Sequence, residues 1–223
     1  MRSFDEIFAI AADRHGGADA LKARLPKPAT DFAAIPDDRV LAQMTRCIFQ
    51  AGFHWKVIDQ KWPGFEETFH GFDPNRCAMI HDEEIDTLLS APRIVRNPAK
   101  VKSVPENAAF ILSLAKEHGS AAKAFAAYPQ SEYIELLDLL KKKGSRLGGV
   151  TGQRVLRNLD LPAFILSNDV LARLKAEGVI DGPATSKKAQ QAIQAAFNTW
   201  SEESGLSLSE ISAVLAMSID SGA

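Results

Sequence analysis

A glycine-rich segment, residues 147–152, lies between two predicted helices and is well suited to bind an anion. Glycines let the backbone turn sharply and approach another molecule closely. The amides at the start of the following helix point outward, toward a position where a phosphate group could bind. The alternative is an ordinary turn between two helices, and the hexapeptide by itself does not decide between these two interpretations.

Basic residues precede this segment, and a second group of basic residues lies earlier in the chain. The two runs are Lys141, Lys142, Lys143 and Arg146, and Arg93, Arg96, Lys100 and Lys102. The net charge is −2 and the pI is about 6.2, which argues mildly against a nucleic-acid partner. Local charge matters more, because only one face of a protein contacts phosphate. A lysine run is equally typical of a solvated helix end.

Composition indicates an ordinary globular protein. The chain has 223 residues, of which 46% are apolar and 24% are charged, so we expect a single domain over residues 1–223. No apolar run approaches the roughly 20 residues of a membrane span. The N-terminus is acidic where a signal peptide would be basic, and two cysteines make no disulfide framework. These features favour a cytoplasmic location.

The apolar residues recur mostly at helical spacing, and no alternating strand pattern of useful length is present. We therefore predict an all-α fold. Ser3 and Ser207 each precede a glutamate by three residues, which predicts capping boxes at two helix starts. A clear amphipathic helix is predicted over residues 186–204. Asp37 or Asp38 is predicted to cap a helix, and Pro63 is predicted to begin a helix of its own.

One segment resembles a known family. Gln-Ala-Gly-Phe-His-Trp at residues 50–55, with Phe-Asp-Pro at residues 72–74, resembles the Gln-Ala-Gly-Leu-Ser-Trp … Phe-Asp-Pro pattern of the DNA-3-methyladenine glycosylase I family. Residues 94–100 and 141–144 match further segments of that family. The turn at residues 147–152 is similar to the hairpin of the helix-hairpin-helix element of related glycosylases. The resemblance therefore implies a helix-hairpin-helix DNA glycosylase-like helical domain.

The resemblance is strongest over residues 37–116 and 135–174. It implies a DNA glycosylase of base excision repair that hydrolyses the N-glycosidic bond of alkylated purines such as 3-methyladenine. Methylation at a ring nitrogen makes such a base cationic and a good leaving group, so the enzyme must mainly flip it and hold it. The implied partner is double-stranded DNA with an alkylated base. We expect a monomer that uses no cofactor and binds no membrane.

The resemblance also implies roles for individual residues. Trp55 would stack on the flipped base, and Gln50, Phe53 and His54 would lie beside it. The DNA backbone would be bound by Gly148, Gly149, Val150, Thr151, Gly152, Lys143 and Arg146. The structural alternatives stay open, because Trp55 could be a core tryptophan, and Phe53 and His54 could simply pack.

Two candidate catalytic residues follow from the same comparison. The family has a glutamate that contacts the base, and the matching position is Cys47. A buried thiol is a poor substitute for a carboxylate, and Cys47 also lies on an apolar helix face, which favours packing. Asp169 belongs to an Asn-Asp pair that matches the family. Its carboxylate could stabilise positive charge on the sugar as the base leaves, or it could cap the helix that follows.

The chain also departs from the family pattern. The family binds zinc through two cysteines and two histidines near its ends, whereas this chain has no cysteine before Cys47 and no cysteine or histidine after His118. A structural zinc needs four such ligands, so we predict no metal site. We expect the helices over residues 186–218 to replace the zinc-bound segment. The alternative functions are a catalytically silent helix-hairpin-helix protein that binds damaged DNA, and a helical scaffold that retains only the fold.

Overall fold

The computed structural model describes residues 1–27, 31–90 and 92–220. These residues form α-helices and short 3₁₀ helices, with no strand among them, which confirms the predicted all-α fold. In the part of the chain that is described, no helix is both long enough and apolar enough to cross a membrane.

The α-helices are short to medium in length and follow one another closely. In chain order they are α1 (Phe4–Arg14), α2 (Ala18–Lys22), α3 (Asp37–Gln50), α4 (Trp55–Thr68), α5 (Pro74–Cys77), α6 (Asp82–Ser90), α7 (Pro98–His118), α8 (Ala121–Ala126), α9 (Tyr133–Lys143), α10 (Val150–Asn158), α11 (Asn168–Ala176), α12 (Lys187–Ser204) and α13 (Leu208–Met217). The 3₁₀ helices are Phe32–Ala34, His70–Phe72 and Gln130–Glu132.

The helices form two compact units. The terminal unit comprises the described residues of Met1–Thr30, Tyr128–Leu136 and Asp160–Ala223, and the central unit comprises those of Asp31–Ala127 and Leu137–Leu159. The single domain over residues 1–223 therefore stays a prediction.

The core of the central unit is aromatic around α3 and α4. Phe49 meets Phe65 edge-on, with ring centres 4.7 Å apart. Trp62 stacks on both Phe65 and Phe72 at 5.4 Å. These rings join the C-terminal half of α3 to the middle of α4 and to the 3₁₀ turn that follows it. The segment that carries Trp55 is therefore attached to a rigid base.

Two local predictions for this unit are wrong. Pro63 does not begin a helix, because α4 continues unbroken from Trp55 to Thr68 with Pro63 inside it. The stacking of the neighbouring Trp62 on Phe65 and Phe72 anchors the helix on both sides of Pro63, and this packing outweighs the amide hydrogen bond that a proline cannot make. Asp37 does not cap α3 either; its carboxylate accepts a hydrogen bond from the Ala121 amide at 2.8 Å.

The terminal unit is organised by local helix caps and by an ion network in which Glu177 pairs with Arg2 and Arg173. Both capping boxes are present, at Ser3 with Glu6 and at Ser207 with Glu210. The predicted amphipathic helix is α12, and Ser186 caps it. The buried face of α12 packs through stacked and edge-on rings of Phe164, Phe197 and Trp200. That these helices replace a zinc-bound segment stays a prediction.

Candidate nucleic-acid interface and base cleft

The hairpin of the central unit connects α9 to α10. Helix α9 ends at Lys143, α10 begins at Val150, and the residues between them form a tight turn. Gly149 immediately precedes α10 with a φ of 61°, in the left-handed region that favours glycine. No side chain caps α10, so the first amides of this helix have no side-chain acceptor at that position. The turn therefore has the geometry that anion binding requires.

Glycine is needed inside the hairpin for a steric reason. A Cβ added to Gly152 would collide with the backbone carbonyl of Leu147, and Gly144 is similarly crowded by Leu147 and Leu140. Gly148 is different, because an added Cβ would lie 3.6 Å from the Lys141 side chain, which is an ordinary contact. The close approach of the two ends of the hairpin therefore depends on Gly144 and Gly152.

A buried asparagine holds the hairpin to the rest of the unit. The Asn107 side chain on α7 donates to the Ser145 carbonyl at 3.0 Å and accepts from the Ser145 amide at 2.8 Å. Asn107 is completely buried. Sequence analysis did not identify this residue, although a polar side chain on the apolar face of a long helix is an available signal. Asn107 thus fixes the turn in one position.

The first basic run lies on the surface at the end of α9 and in the turn. Lys141, Lys142, Lys143 and Arg146 are exposed. Lys142 pairs with Asp138 one helical turn earlier. Among the described residues, no carboxylate pairs with Lys143 or Arg146. These two cations are therefore available to an anionic partner.

The residues of the second basic run are bonded to other groups of the protein. Arg93 pairs with Glu67, Arg96 donates to the Ser90 carbonyl, and Lys102 pairs with Asp82 at 3.5 Å. Lys100, the fourth member of the run, is buried. A free basic surface does not form there, because each cation has a partner within the fold.

Lys100 holds the C-terminal end of α3. Its Nζ donates to the carbonyls of Phe49 at 3.2 Å and Ala51 at 2.7 Å, two acceptors at the end of the helix. Burial lowers the pKa of Lys100, and the nearby charge of Arg146 lowers it further. Lys100 and Arg146 also line a cavity of about 290 Å³ beside the hairpin, together with Gly148 and Thr151. This cavity has cations and main-chain groups on its walls.

A larger cleft opens where the end of α3, the start of α4 and the start of α10 meet. Its volume is about 750 Å³. The lining residues are Cys47, Gln50, Ala51, Gly52, Phe53, His54, Trp55, Val150, Thr151 and Arg154. The structure therefore places the predicted residues Cys47, Gln50, Phe53, His54 and Trp55 on one cleft.

Trp55 presents a large exposed ring to this cleft. Half of its surface is accessible, and Phe53 beside it is 45% accessible. The guanidinium of Arg154 lies over the Trp55 ring, 4.6 Å from its centre. Arg154 was not predicted as a site residue, and it reaches the cleft because it lies one turn into α10. Trp55 is thus not a core tryptophan.

Cys47 lies on the wall of the cleft but is almost fully buried. Its sulfur accepts hydrogen bonds from the Gln43 amide at 3.2 Å and from the Asn158 amide at 3.6 Å. Burial raises the pKa of the Cys47 thiol, although these two hydrogen bonds and the charges of Arg154 and Arg46 act in the opposite direction. The thiol is therefore neutral near pH 7.

Gln50 and His54 are two further polar residues of the lining. Gln50 is mostly buried, and its amide lies 3.5 Å from Asp59 Oδ1. The same carboxylate oxygen of Asp59 accepts from Arg46 at 2.6 Å. His54 is exposed at the residue before α4, and its side chain makes no capping bond.

Asp169 lies in the terminal unit, in the first turn of α11. The cap of this helix is Ser167, whose hydroxyl accepts from the Val170 amide at 3.3 Å, so the predicted capping role of Asp169 is wrong. Asp169 is partly exposed. Its role near the sugar stays a prediction. Among the described residues, no group of three or more His, Cys, Asp or Glu side chains could hold a metal ion.

Part of this chain is similar to known methyladenine glycosylases. A family model described as methyladenine glycosylase matches residues 34–139. The DNA-3-methyladenine glycosylase of Haemophilus influenzae is 31% identical over 67 residues, 30% of this chain and 36% of that protein. DNA-3-methyladenine glycosylase 1 of Escherichia coli is 29% identical over 65 residues, 29% of this chain and 35% of that protein. The matches thus span about a third of the relatives' length.

The fold is similar to that of a solved member. A crystal structure of 3-methyladenine DNA glycosylase I aligns with 64% of this chain and 87% of its own, with a TM-score of 0.50 and 21% identity. The family resemblance predicted from residues 50–55 and 72–74 is confirmed, since both segments fall inside the matched range. Residues 34–139, a little under half of this chain, thus match the methyladenine glycosylase family.

Proposed function

We propose that this protein is a DNA glycosylase of base excision repair that hydrolyses the N-glycosidic bond of alkylated purines in double-stranded DNA. The observation that carries the proposal is the continuity of α10. Gly149 of the hairpin immediately precedes this helix, which contributes Thr151 in its first turn and Arg154 one turn later to the cleft. A backbone-binding turn and a base-sized cleft therefore share one rigid element.

The hairpin supplies the backbone contact in this proposal. A DNA phosphate accepts hydrogen bonds from the first amides of α10, and Lys143 and Arg146 add positive charge beside it. Neither cation has a carboxylate partner among the described residues. Because these contacts involve phosphate alone, they hold the duplex without reading its sequence.

The cleft supplies the base contact. A nucleotide extruded from the duplex stacks on the exposed ring of Trp55, since every base offers a π-face to an aromatic side chain. Gln50, Phe53 and His54 contact the base edge and rim. The bonding electrons leave with the base, and water adds to the sugar carbon. The proton of the water passes to solvent when the base was cationic, or to the departing base when it was neutral, and the products are a free base and an abasic site.

Release of free base from methylated duplex DNA tests the proposal. Purified protein in excess over DNA should release an alkylated purine and leave an alkali-labile abasic site at the same position, with a matched unmethylated duplex as the control. Appearance of neither product, from substrates that carry several alkylated purines, would contradict the enzymatic assignment.

One observation favours the second candidate, a catalytically silent protein that binds damaged DNA. The cleft wall has the neutral thiol of Cys47 where the resemblance places a carboxylate. This candidate predicts tighter binding of duplexes with an alkylated base than of undamaged duplexes, without any base release. Binding and release measured on the same duplexes separate the two candidates.

A further inference from the structure

The cleft at Trp55 has an unusual charge for a site that would hold a cationic base. Among its lining residues only Arg154 carries a permanent charge, and none is a carboxylate. A flipped base that stacks on Trp55 enters within a few ångströms of this guanidinium, which lies 4.6 Å from the ring centre. The electrostatic environment of the cleft is therefore positive.

Arg154 is not neutralised by a neighbour. Among the described residues no carboxylate forms an ion pair with it. An acidic group in contact with the lining is Asp59, which accepts a hydrogen bond from the Gln50 amide at 3.5 Å. Asp59 already binds the Arg46 guanidinium through contacts of 2.6 and 3.2 Å, and its side chain is largely exposed. Its charge is thus balanced and screened.

Cys47 adds no negative charge at the other wall. Its sulfur accepts from the amides of Gln43 and Asn158 at 3.2 and 3.6 Å, an arrangement that satisfies a neutral thiol. Burial raises the pKa of this thiol, which agrees with the neutral form. The cleft therefore offers donors and a cation, and offers no anion, to whatever base enters it.

We propose that this cleft selects alkylated purines without positive charge over purines made cationic by methylation at a ring nitrogen. The inference rests on the proposed function, because it names the substrate class of the same cleft. Two like charges a few ångströms apart repel strongly in a partly desolvated cleft. A neutral base avoids this repulsion, and its acceptor atoms can receive hydrogen bonds from the Arg154 guanidinium.

Two methylated guanines provide a matched test. In DNA, 7-methylguanine carries a positive charge, whereas O6-methylguanine has lost the N1 proton and is neutral. Binding and single-turnover base release are measured on duplexes that differ only in this base. We expect the wild-type protein to bind the O6-methylguanine duplex about tenfold more tightly or better. The two bases also differ in shape. The decisive comparison is therefore how the ratio of the two affinities changes between the wild-type protein and the Arg154 variants.

Arg154→Gln removes the charge and Arg154→Lys retains it. The ratio of affinities should fall toward one in Arg154→Gln and should persist in Arg154→Lys. Equal affinity of the wild-type protein for the two duplexes, or a ratio that Arg154→Gln leaves unchanged, would overturn the inference. Selective binding without release of any base would support the selectivity and contradict the proposed hydrolysis, so the two failures are distinguishable.

Discussion

The guanidinium of Arg154 lies 4.6 Å from the centre of the Trp55 ring, so a cation from the helix that follows the hairpin covers part of an exposed aromatic plate. Such a contact is worth about 0.5–1 kcal/mol at an exposed site. A base that stacks on Trp55 must use the other face of the ring or displace Arg154. Under the proposed function the two residues would act together in base recognition, and α10 connects them to the hairpin.

Trp55→Ala should remove most base-release activity while the fold persists. Loss of stacking on one base costs about 1–3 kcal/mol, or roughly five- to 150-fold in the single-turnover rate. Half of the Trp55 surface is already exposed, so the free energy of unfolding should change little. Trp55→Phe, which keeps an aromatic face, is the control and should retain most of the activity. Equal rates for Trp55→Ala and the wild-type protein would exclude the stacking role.

Charge reversal at the hairpin should weaken binding to every duplex. Lys143→Glu with Arg146→Glu replaces two unpaired surface cations beside the turn, and phosphate contacts release counterions when they form. The double variant should bind DNA more weakly, and the dependence of its affinity on salt should be less steep. Lys187→Glu with Lys188→Glu makes the same charge change at the exposed start of α12. If both double variants lose equal affinity, the effect is one of total charge and not of the hairpin.

Gly152→Ala should distort the hairpin and Gly148→Ala should not. An added Cβ at Gly152 collides with the Leu147 carbonyl, a backbone atom that cannot move without moving the turn. At Gly148 the nearest atom is 3.6 Å away on the flexible Lys141 side chain. Overpacking of this kind costs about 1–3 kcal/mol, which denaturant unfolding can measure. DNA affinity should fall together with stability in Gly152→Ala and should stay unchanged in Gly148→Ala. A loss of stability in both variants would contradict the steric account.

Glu177 should make the terminal unit sensitive to acid. The carboxylate is buried and accepts from the Arg2 amide at 2.8 Å, the Arg2 guanidinium at 2.7 Å and Arg173 at 3.2 Å. Burial acts to raise the pKa of Glu177, but these hydrogen bonds outweigh it and lower the pKa below its usual value of 4.5. The stabilisation is therefore complete above about pH 4.5 and is lost as the pH falls through the lower folded-state pKa.

Glu177→Gln tests this dependence. The variant removes the charge that balances the buried Arg173 and should cost about 3 kcal/mol near pH 7, at the low end for a broken buried pair because Arg2 is half-exposed. The difference in unfolding free energy between the wild-type protein and the variant should shrink below pH 4.5. A difference that stays constant from pH 7 to pH 3 would show that the network contributes only packing.

Helix caps and other features that depend on sequence neighbours were predictable from the sequence. Ser3 and Ser207 cap helices as expected, because a cap needs only the amides two or three residues later. Pro63 was assigned wrongly because its position in the helix depends on residues that are not its sequence neighbours. The local cost of a proline inside a helix is real, but it is outweighed by stacking of Trp62 with Phe72, a residue beyond the end of the helix.

The site was predictable where a motif carries it and not where distant residues complete it. The family resemblance identified residues 50–55 from the sequence, and in the structure these residues line one cleft. The structural roles of Asn107 and Lys100 were not predicted, because their partners are distant in sequence. The bonds of Asn107 reach 38 residues along the chain, and those of Lys100 reach 49 and 51. Arg154 was not predicted as a site residue, because no local sequence pattern shows that an arginine on an amphipathic helix contacts a distant tryptophan.

Cys47→Glu should shift the cleft toward cationic bases. A carboxylate at this position would accept from the Gln43 and Asn158 amides that now bind the sulfur, and it would oppose the charge of Arg154. We expect a loss of about 1–3 kcal/mol in unfolding free energy from the larger side chain. Release of 3-methyladenine or 7-methylguanine should rise relative to release of a neutral base.

Cys47→Gln is the matched control, because it adds the same bulk without a charge. The ratio of cationic to neutral base release should rise in Cys47→Glu and stay at the wild-type value in Cys47→Gln, so the comparison isolates the carboxylate from the steric change. An unpaired buried carboxylate would instead cost several kcal/mol. If Cys47→Glu unfolds while Cys47→Gln remains folded, the amides do not reach the carboxylate. Cys47 is then a packing residue, and the assignment of this position to base recognition fails.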